Sequence, residues 1–190
     1  MIAALLGVIV VLSGCPVSSM NPLYEDEFLS KPDPDLVVDQ AFVGHWRIQD
    51  KECPKILTIT NKESVYHLTA APSPQCKSEE KTYRYEGHLV KLDGHIFLDL
   101  GPEPDEVCEM CFPQHHIFLA RIEKSSFSLT PLDDEWLKTS IAQKIVVIQT
   151  LPARPEVVTA PSKELKEFVR KYADDQSAFK PVPELTCERQ

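Results

Sequence analysis

Residues 83–100 read YRYEGHLVKLDGHIFLDL, and this stretch decides the fold class. Apolar and polar side chains partly alternate over residues 83–92, which is the pattern of a strand with one buried face. Asp93-Gly94 follows, and an Asp-Gly pair between two such runs is a strong signal for a tight hairpin turn. Residues 95–100 supply the second strand. The stretch therefore predicts an antiparallel β-hairpin.

Similar patterns continue on both sides of this hairpin. Short β-branched or aromatic segments, separated by turn residues, occupy residues 42–49, 56–60, 64–69, 115–123 and 127–130, and one more buried strand is expected at 145–149. Such spacing predicts a mainly β (α+β) fold. We expect an antiparallel sheet that curls into a barrel or packs as a sandwich.

Two helices are expected to complete the domain. The acidic run 133–135 favours a helix N-terminus and leads into Trp136. The second helix follows Pro161, with Ser162 as its predicted cap. Its apolar residues recur at i, i+3, i+4 and i+7, which indicates a C-terminal amphipathic helix with one buried stripe. These residues are Leu165, Phe168, Val169 and Tyr172. A partner's groove is the alternative site for the stripe.

The N-terminus is predicted to carry an export signal. Residues 1–14 contain no charged side chain, and their apolar run is shorter than the roughly 20 residues that a membrane-spanning helix needs. The run fits the apolar core of a secretory signal peptide. It ends in Leu12-Ser13-Gly14-Cys15, which resembles the lipobox of bacterial lipoproteins. The resemblance implies that the mature chain begins at a lipidated Cys15, with acyl chains as the membrane anchor.

The remaining chain divides into three parts. Residues 15–40 are rich in proline, serine and acidic groups, and they predict a lipidated tether, within which Leu23 and Tyr24 are candidates to dock on the domain. A solvated linker is the alternative. Residues 41–180 are expected to form a single β-rich domain. Residues 181–190 are expected to be a C-terminal tail.

Charge and compartment limit the partners. The formal net charge of −9 opposes binding to nucleic acid and also argues against a polybasic membrane patch. The resemblance to a lipobox implies that the protein is located in a bacterial cell envelope. There the lipid anchor would attach it to the membrane, and an envelope protein is a candidate partner. Pro16 stands where some Gram-negative lipoproteins carry an inner-membrane retention Asp, so sorting to the outer membrane is favoured.

Five cysteines remain after Cys15. Outside the cytoplasm disulfides are the default interpretation. Cys53 and Cys76 flank a predicted hairpin and are candidates for one bridge, and Cys108 and Cys111 are candidates for a short disulfide loop. Cys187 is then the best candidate for a free thiol, although connectivity does not follow from sequence.

The alternative for the C-x-x-C loop is a metal site. Cys108, Cys111, His115 and His116 supply ligands suited to zinc or copper. Neighbouring strand residues point to opposite faces, so at most one of the two histidines can join the thiolates. Apart from this metal alternative, no cofactor is expected.

The other histidines give no catalytic constellation. His95 and Asp99 share a strand face, but no nucleophile stands beside them in sequence. We therefore do not expect an enzyme.

Several motifs, taken in their order along the chain, carry a family resemblance. With them the chain resembles a group of bacterial lipoproteins whose activity is uncharacterised. The resemblance implies no catalytic residues. The motifs are Asn21-Pro22-Leu23-Tyr24, Val43-Gly44-His45-Trp46, Phe97-Leu98-Asp99-Leu100 and Leu132-Asp133-Asp134-Glu135-Trp136-Leu137.

A narrower likeness suggests a second function class. Gly44-x-Trp46 is similar to the G-x-W of lipocalins, in which the tryptophan closes one end of the barrel. The sequence thus predicts a lipid-anchored envelope lipoprotein with a structural or partner-binding role. Binding of a small apolar ligand in a barrel, and metal binding by the C-x-x-C loop, are the alternatives.

Overall fold

The computed structural model describes residues 17–25, 33–48, 54–74, 76, 81–103, 114–181 and 186–190. These residues form one sheet of twelve strands, two α-helices and a short 3-10 helix at Gln40–Phe42. The strands are β1 (Ser18–Ser19), β2 (Leu36–Val37), β3 (Gly44–Ile48), β4 (Lys55–Lys62), β5 (Val65–Pro72), β6 (Tyr83–Leu92), β7 (His95–Pro102), β8 (His115–Ile122), β9 (Ser126–Pro131), β10 (Thr150–Leu151), β11 (Arg154–Val158) and β12 (Thr186–Arg189). The helices are α1 (Asp134–Ala142) and α2 (Ser162–Tyr172).

Eight of these strands close into an antiparallel barrel. From neighbour to neighbour the order is β8-β7-β6-β5-β4-β3-β12-β9, and β9 pairs again with β8. The predicted mainly β fold with a curled antiparallel sheet and a C-terminal amphipathic helix is confirmed, and the sheet takes the barrel form.

The hairpin predicted over residues 83–100 is present. β6 and β7 pair from Leu92 with His95 to Tyr85 with Pro102. Asp93 and Gly94 both have positive φ, 48° and 90°. Two positive φ values are what a two-residue turn of the type favoured in hairpins requires, and Gly94 adopts one without steric cost.

The barrel interior is lined with apolar side chains. Alternate residues of each strand point inward, as the pleat requires. The Trp46 ring lies 4.8 Å from that of Phe127, and Phe42 lies 5.0 Å from Phe127, centroid to centroid. Arg189 places its guanidinium 4.4 Å from the Trp46 ring centroid. Aromatic rings therefore occupy the end of the barrel at which β3 begins.

A second core lies outside the barrel wall. The outward faces of β6, β7 and β8 pack against α1, α2 and the extended chain around them. Leu165, Phe168 and Val169 of α2 are buried there, so the predicted stripe belongs to the core rather than to a partner's groove. One detail differs from prediction, because Pro161 is the cap residue and Ser162 is already helical.

Residues 145–149 were expected to form a buried strand, and this is wrong. Val146 is buried, but Ile145 and Val147 are exposed, and the segment runs irregularly into β10. The apolar run has strand propensity, yet it lies at the end of the sheet, where one of its faces has no core to cover.

The chain end also differs from the expected tail. β12 pairs with β3 on one side and β9 on the other, and it thereby closes the barrel. Cys187 is its inward residue and is buried. One apolar residue among polar neighbours gives too weak a pattern to predict a strand from sequence.

The stretch predicted as a tether is packed wherever the structure describes it. We call Val17–Glu25 the N-terminal strap. Its β1 pairs with β8 and with β11, and farther along β2 pairs with β6. Leu23 is completely buried, which confirms its predicted docking and excludes the solvated-linker alternative for this part. The packed unit therefore begins well before residue 41.

Candidate functional site

The main polar cluster of the outer barrel wall is centred on Asp99. This β7 carboxylate is buried, with 1% of its side chain exposed. Its Oδ2 accepts a hydrogen bond from the backbone N–H of Leu23, and its Oδ1 lies 2.7 Å from Nδ1 of His115. One carboxylate thus links the barrel wall to the N-terminal strap.

The sheet register brings these groups together. β7 and β8 pair so that Asp99 faces Ile117, which makes His115 the diagonal neighbour of Asp99 on the same outer face. Diagonal neighbours in antiparallel strands are within reach of long side chains. His95 shares a strand face with Asp99 in the sequence pattern, but its ring instead lies 3.4 Å from Asp174. The His115 contact depends on a cross-strand register that the sequence does not contain.

Two further histidines lie on the strands that carry or flank this cluster. His88 of β6 pairs in register with Asp99, and its ring contacts that of Tyr24 at a centroid distance of 4.2 Å. The side chain of His116 points to the opposite face of the sheet from that of His115, because side chains alternate along β8. The side chains of these two neighbouring histidines therefore belong to opposite faces of β8.

His116 is kept neutral. Burial lowers the pKa of this imidazole, and a hydrogen bond with the backbone of Val17 and the charge of Asp99 only partly oppose that effect. Its Nδ1 is buried and has no hydrogen-bond partner. The contact with Val17 makes His116 a second attachment point for the N-terminal strap.

A second polar cluster fastens the chain that follows the N-terminal strap. Nζ of Lys166 on α2 lies 2.6 Å and 2.9 Å from the two carboxylate oxygens of Asp33, and 2.7 Å from Oδ2 of Asp35. The backbone N–H of Glu25 also donates to Asp33, at 2.7 Å. The Asp33 side chain is 1% exposed and that of Lys166 is 12% exposed.

The pKa shifts in this cluster have a common cause. Burial alone would raise the pKa of the Asp33 carboxyl, but hydrogen bonds from Lys166 and from the backbone N–H groups of Glu25 and Asp35 leave that pKa lowered. Burial likewise opposes the Lys166 charge, yet the two carboxylates raise its pKa. Both partners are therefore ionised around neutral pH.

The predicted metal and disulfide residues are only partly visible. Cys15, Cys53, Cys108 and Cys111 lie outside the described residues, so their roles stay predictions. Within the described part of the chain, no three His, Cys, Asp or Glu side chains form a group that could hold a metal ion. His115 is engaged by Asp99.

The two remaining cysteines have different states. Cys76 is disulfide-bonded. Its backbone N–H donates to Ser73, whose own N–H donates to Pro54, the neighbour of Cys53. Cys187 is free, as predicted, and burial raises the pKa of its thiol to about 12. A thiol in that state is unreactive.

The chain matches no family model, no curated protein and no solved structure. Among the residues that the structure describes, neither helix has the length and apolar character needed to cross a bilayer.

We expect Asp99→Ala to lower the free energy of unfolding by about 2–3 kcal/mol, because the buried N–H of Leu23 and the ring of His115 lose a charged acceptor. Asp99→Asn keeps one acceptor oxygen and is expected to cost less. Urea denaturation of both variants measures the difference.

Asp174→Ala is the matched control for this prediction. The Asp174 side chain is 92% exposed after α2, and its removal is expected to change stability by less than about 0.5 kcal/mol. Equal losses for Asp99→Ala and Asp174→Ala would contradict a fastening role for Asp99.

Proposed function

We propose that this protein is a lipid-anchored lipoprotein of the bacterial cell envelope, with a structural or partner-binding role. The observation that carries the proposal is the position of the N-terminal strap. Val17 is buried and Ser18 is already paired in the sheet, so Pro16 alone separates the folded domain from Cys15. The lipobox residues 12–15 come directly before this packed chain.

The polar clusters support a structural rather than a catalytic role. Both oxygens of Asp99 are used, one by the N-terminal strap and one by His115. Asp33 and Lys166 hold the next part of the chain against α2. Such fastening suits a domain that is attached to a membrane through its N-terminus, because any force on the anchor acts first on the N-terminal strap.

The filled barrel interior does not favour the alternative of an apolar ligand. Large inward side chains from strands around the barrel are almost completely buried, among them Tyr66, Leu98, Phe118 and Phe127. A barrel of eight strands has an interior just wide enough for side chains to fill or for one small ligand. We therefore place the function on the outer surface and the anchor.

The absence of Asp after Cys15 extends the proposal to the outer membrane. Pro16 occupies that position, and its fixed φ and missing N–H distinguish it from a retention signal. The partner in this role is an envelope protein or the membrane itself.

The experiment is metabolic labelling with an alkyne fatty acid in a Gram-negative host. The parent chain is expected to carry the label, and Cys15→Ala is expected to lose it completely and to leave the membrane fraction. The matched control is Cys187→Ala, which removes a buried free thiol and should keep the label. Label that persists on Cys15→Ala would refute the anchor.

A further inference from the structure

The barrel closes without the N-terminal strap. Its eight strands are β3 to β9 and β12, and β1 is not one of them. β1 instead lies between β8 and β11, with Ser18 facing His116 on one side and Val157 on the other. Among the described strands, β10 and β11 are therefore connected to the barrel sheet through β1. The N-terminal strap is an addition to a barrel that already has all of its strands.

The docked strap is held in the domain along its whole length. Leu23 is completely buried, and its backbone N–H donates to Asp99. Nδ2 of Asn21 donates to the carbonyl of Ala160 at 3.0 Å. Val17, at the start of the N-terminal strap, is only 6% exposed. In the docked state the chain is thus packed into the domain as far back as residue 17.

Docking leaves little chain between the domain and Cys15. The two residues from Val17 to Cys15 span at most about 7 Å when fully extended. The polar headgroup layer on each side of a bilayer's hydrocarbon core is about 5–8 Å thick. The finished lipoprotein fits this spacing, because its acyl chains enter the bilayer at Cys15 while the domain rests on the headgroups.

The lipidation reaction needs more room than the finished protein does. In the reaction that the lipobox implies, the Cys15 sulfur forms a thioether bond to a glycerol carbon of a phospholipid, and the bond from that carbon to the phosphate oxygen breaks. The departing phosphate headgroup takes up the thiol proton. Residues 12–15 must enter the active site of a membrane enzyme for this step. A domain of roughly 150 residues has a radius of gyration of about 15 Å, so one held within 7 Å of the sulfur collides with that enzyme.

We propose that Cys15 is lipidated while the N-terminal strap is undocked, and that the strap docks afterwards and draws the domain onto the bilayer surface. This inference rests on the proposed function, because it takes Cys15 as the lipidated residue. The folded domain is then compatible with the product of the reaction and is a poor substrate for it. Docking can be the last step because the barrel has its eight strands without β1.

The test uses the folded precursor, which retains residues 1–14, in detergent. It is mixed with bacterial membranes that contain the lipidating enzyme and with a phospholipid donor that carries an alkyne in its acyl chains. One variant has twelve glycine and serine residues inserted between Pro16 and Val17, which can extend to about 40 Å and leave the N-terminal strap unchanged. The matched control has the same twelve residues added after Gln190. Circular dichroism and urea denaturation check that the three chains are folded alike.

We expect the insertion after Pro16 to raise the initial rate of labelling at least tenfold over that of the folded parent. The addition after Gln190 is expected to leave the rate unchanged. Equal rates for the folded parent and the Pro16 insertion would overturn the inference, although an anchor at Cys15 would stand.

Metabolic labelling of the same three chains separates this result from the proposed function. In growing cells we expect all three to carry the label to the same extent, because the newly exported strap has not yet docked. If none of them is labelled in cells, the proposed function fails and the inference fails with it.

Discussion

Lys166→Met is expected to lower the free energy of unfolding by about 3–5 kcal/mol, because it removes the cation from a buried pair and leaves the Asp33 carboxylate uncompensated. Asp33 is almost fully buried, and Lys166 contacts both of its oxygens. The loss is large relative to the roughly 5–15 kcal/mol that stabilises a typical domain. Urea denaturation at neutral pH measures it.

The pH dependence of this loss has a definite sign. The lowered pKa of Asp33 stabilises the fold above its unfolded value of about 3.9, and that contribution disappears as pH falls through the lower folded value. The raised pKa of Lys166 stabilises the fold below its unfolded value of about 10.4 and is lost as pH rises through the folded value. The difference between the parent and Lys166→Met should therefore shrink at both extremes.

Lys163→Met is the matched control on the same helix. Lys163 is exposed near the start of α2, and its replacement is expected to change stability by less than about 0.5 kcal/mol. A loss for Lys166→Met that is no greater than that for Lys163→Met, or one that does not change with pH, would contradict the assigned role of the ion pair.

Trp46→Ala is expected to lower the free energy of unfolding by about 3–5 kcal/mol, because it leaves a large cavity among buried side chains of the barrel. Trp46 is completely buried, contacts Phe127, and donates its Nε1–H to the carbonyl of Phe42 at 3.0 Å. Its loss also removes the ring beneath Arg189. Denaturant titration measures the change.

Trp136→Ala provides the comparison for this second prediction. Trp136 lies on α1 and is only partly buried against the outer core, where it contacts Tyr172 at 5.0 Å. We expect a clearly smaller loss there, because neighbouring side chains and water can fill part of the space. Equal losses at the two tryptophans would argue against a filled barrel interior.

Arg189 shows how the barrel is closed at this end. Its guanidinium lies over Trp46 and donates to the carbonyls of Ala41, Val43 and Lys124, at 2.6, 3.2 and 2.8 Å. One side chain of the last strand thus connects the turn before β3 with the turn before β9. Its guanidinium presents a planar set of donors, which suits several carbonyls at once.

Local signals were sufficient to predict most of the barrel. The Asp93-Gly94 turn and the alternation around it belong to consecutive residues, so the sequence alone indicates the β6–β7 hairpin. The buried face of α2, with Leu165, Phe168 and Val169, was predicted from helical periodicity in the same way. Hairpins and amphipathic helices of this kind can be predicted because the pattern that specifies them lies within a few consecutive residues.

The parts that escaped prediction depend on contacts between distant residues. β12 has one inward residue, Cys187, and becomes a strand because β3 and β9 leave a gap that it fills. β1 has only Ser18 and Ser19, which show no strand pattern at all. Both strands are set by the register of their neighbours rather than by their own composition.

The contacts of the candidate site were difficult to predict from the sequence for the same reason. The contact between Asp99 and His115 needs the β7–β8 register, and that between Asp33 and Lys166 joins residues that are 133 positions apart. Sequence spacing suggested His95 for Asp99 because the two share a strand face. Residues four apart on a strand are separated by about 13 Å, so a cross-strand partner is closer.

The most direct test of the central claim is mass spectrometry of the amino-terminal peptide of the mature protein purified from membranes. We predict a peptide that starts at position 15 and carries a diacylglyceryl thioether on its first residue. An unmodified sulfur on that residue, or a mature chain that retains residues 1–14, would contradict the account.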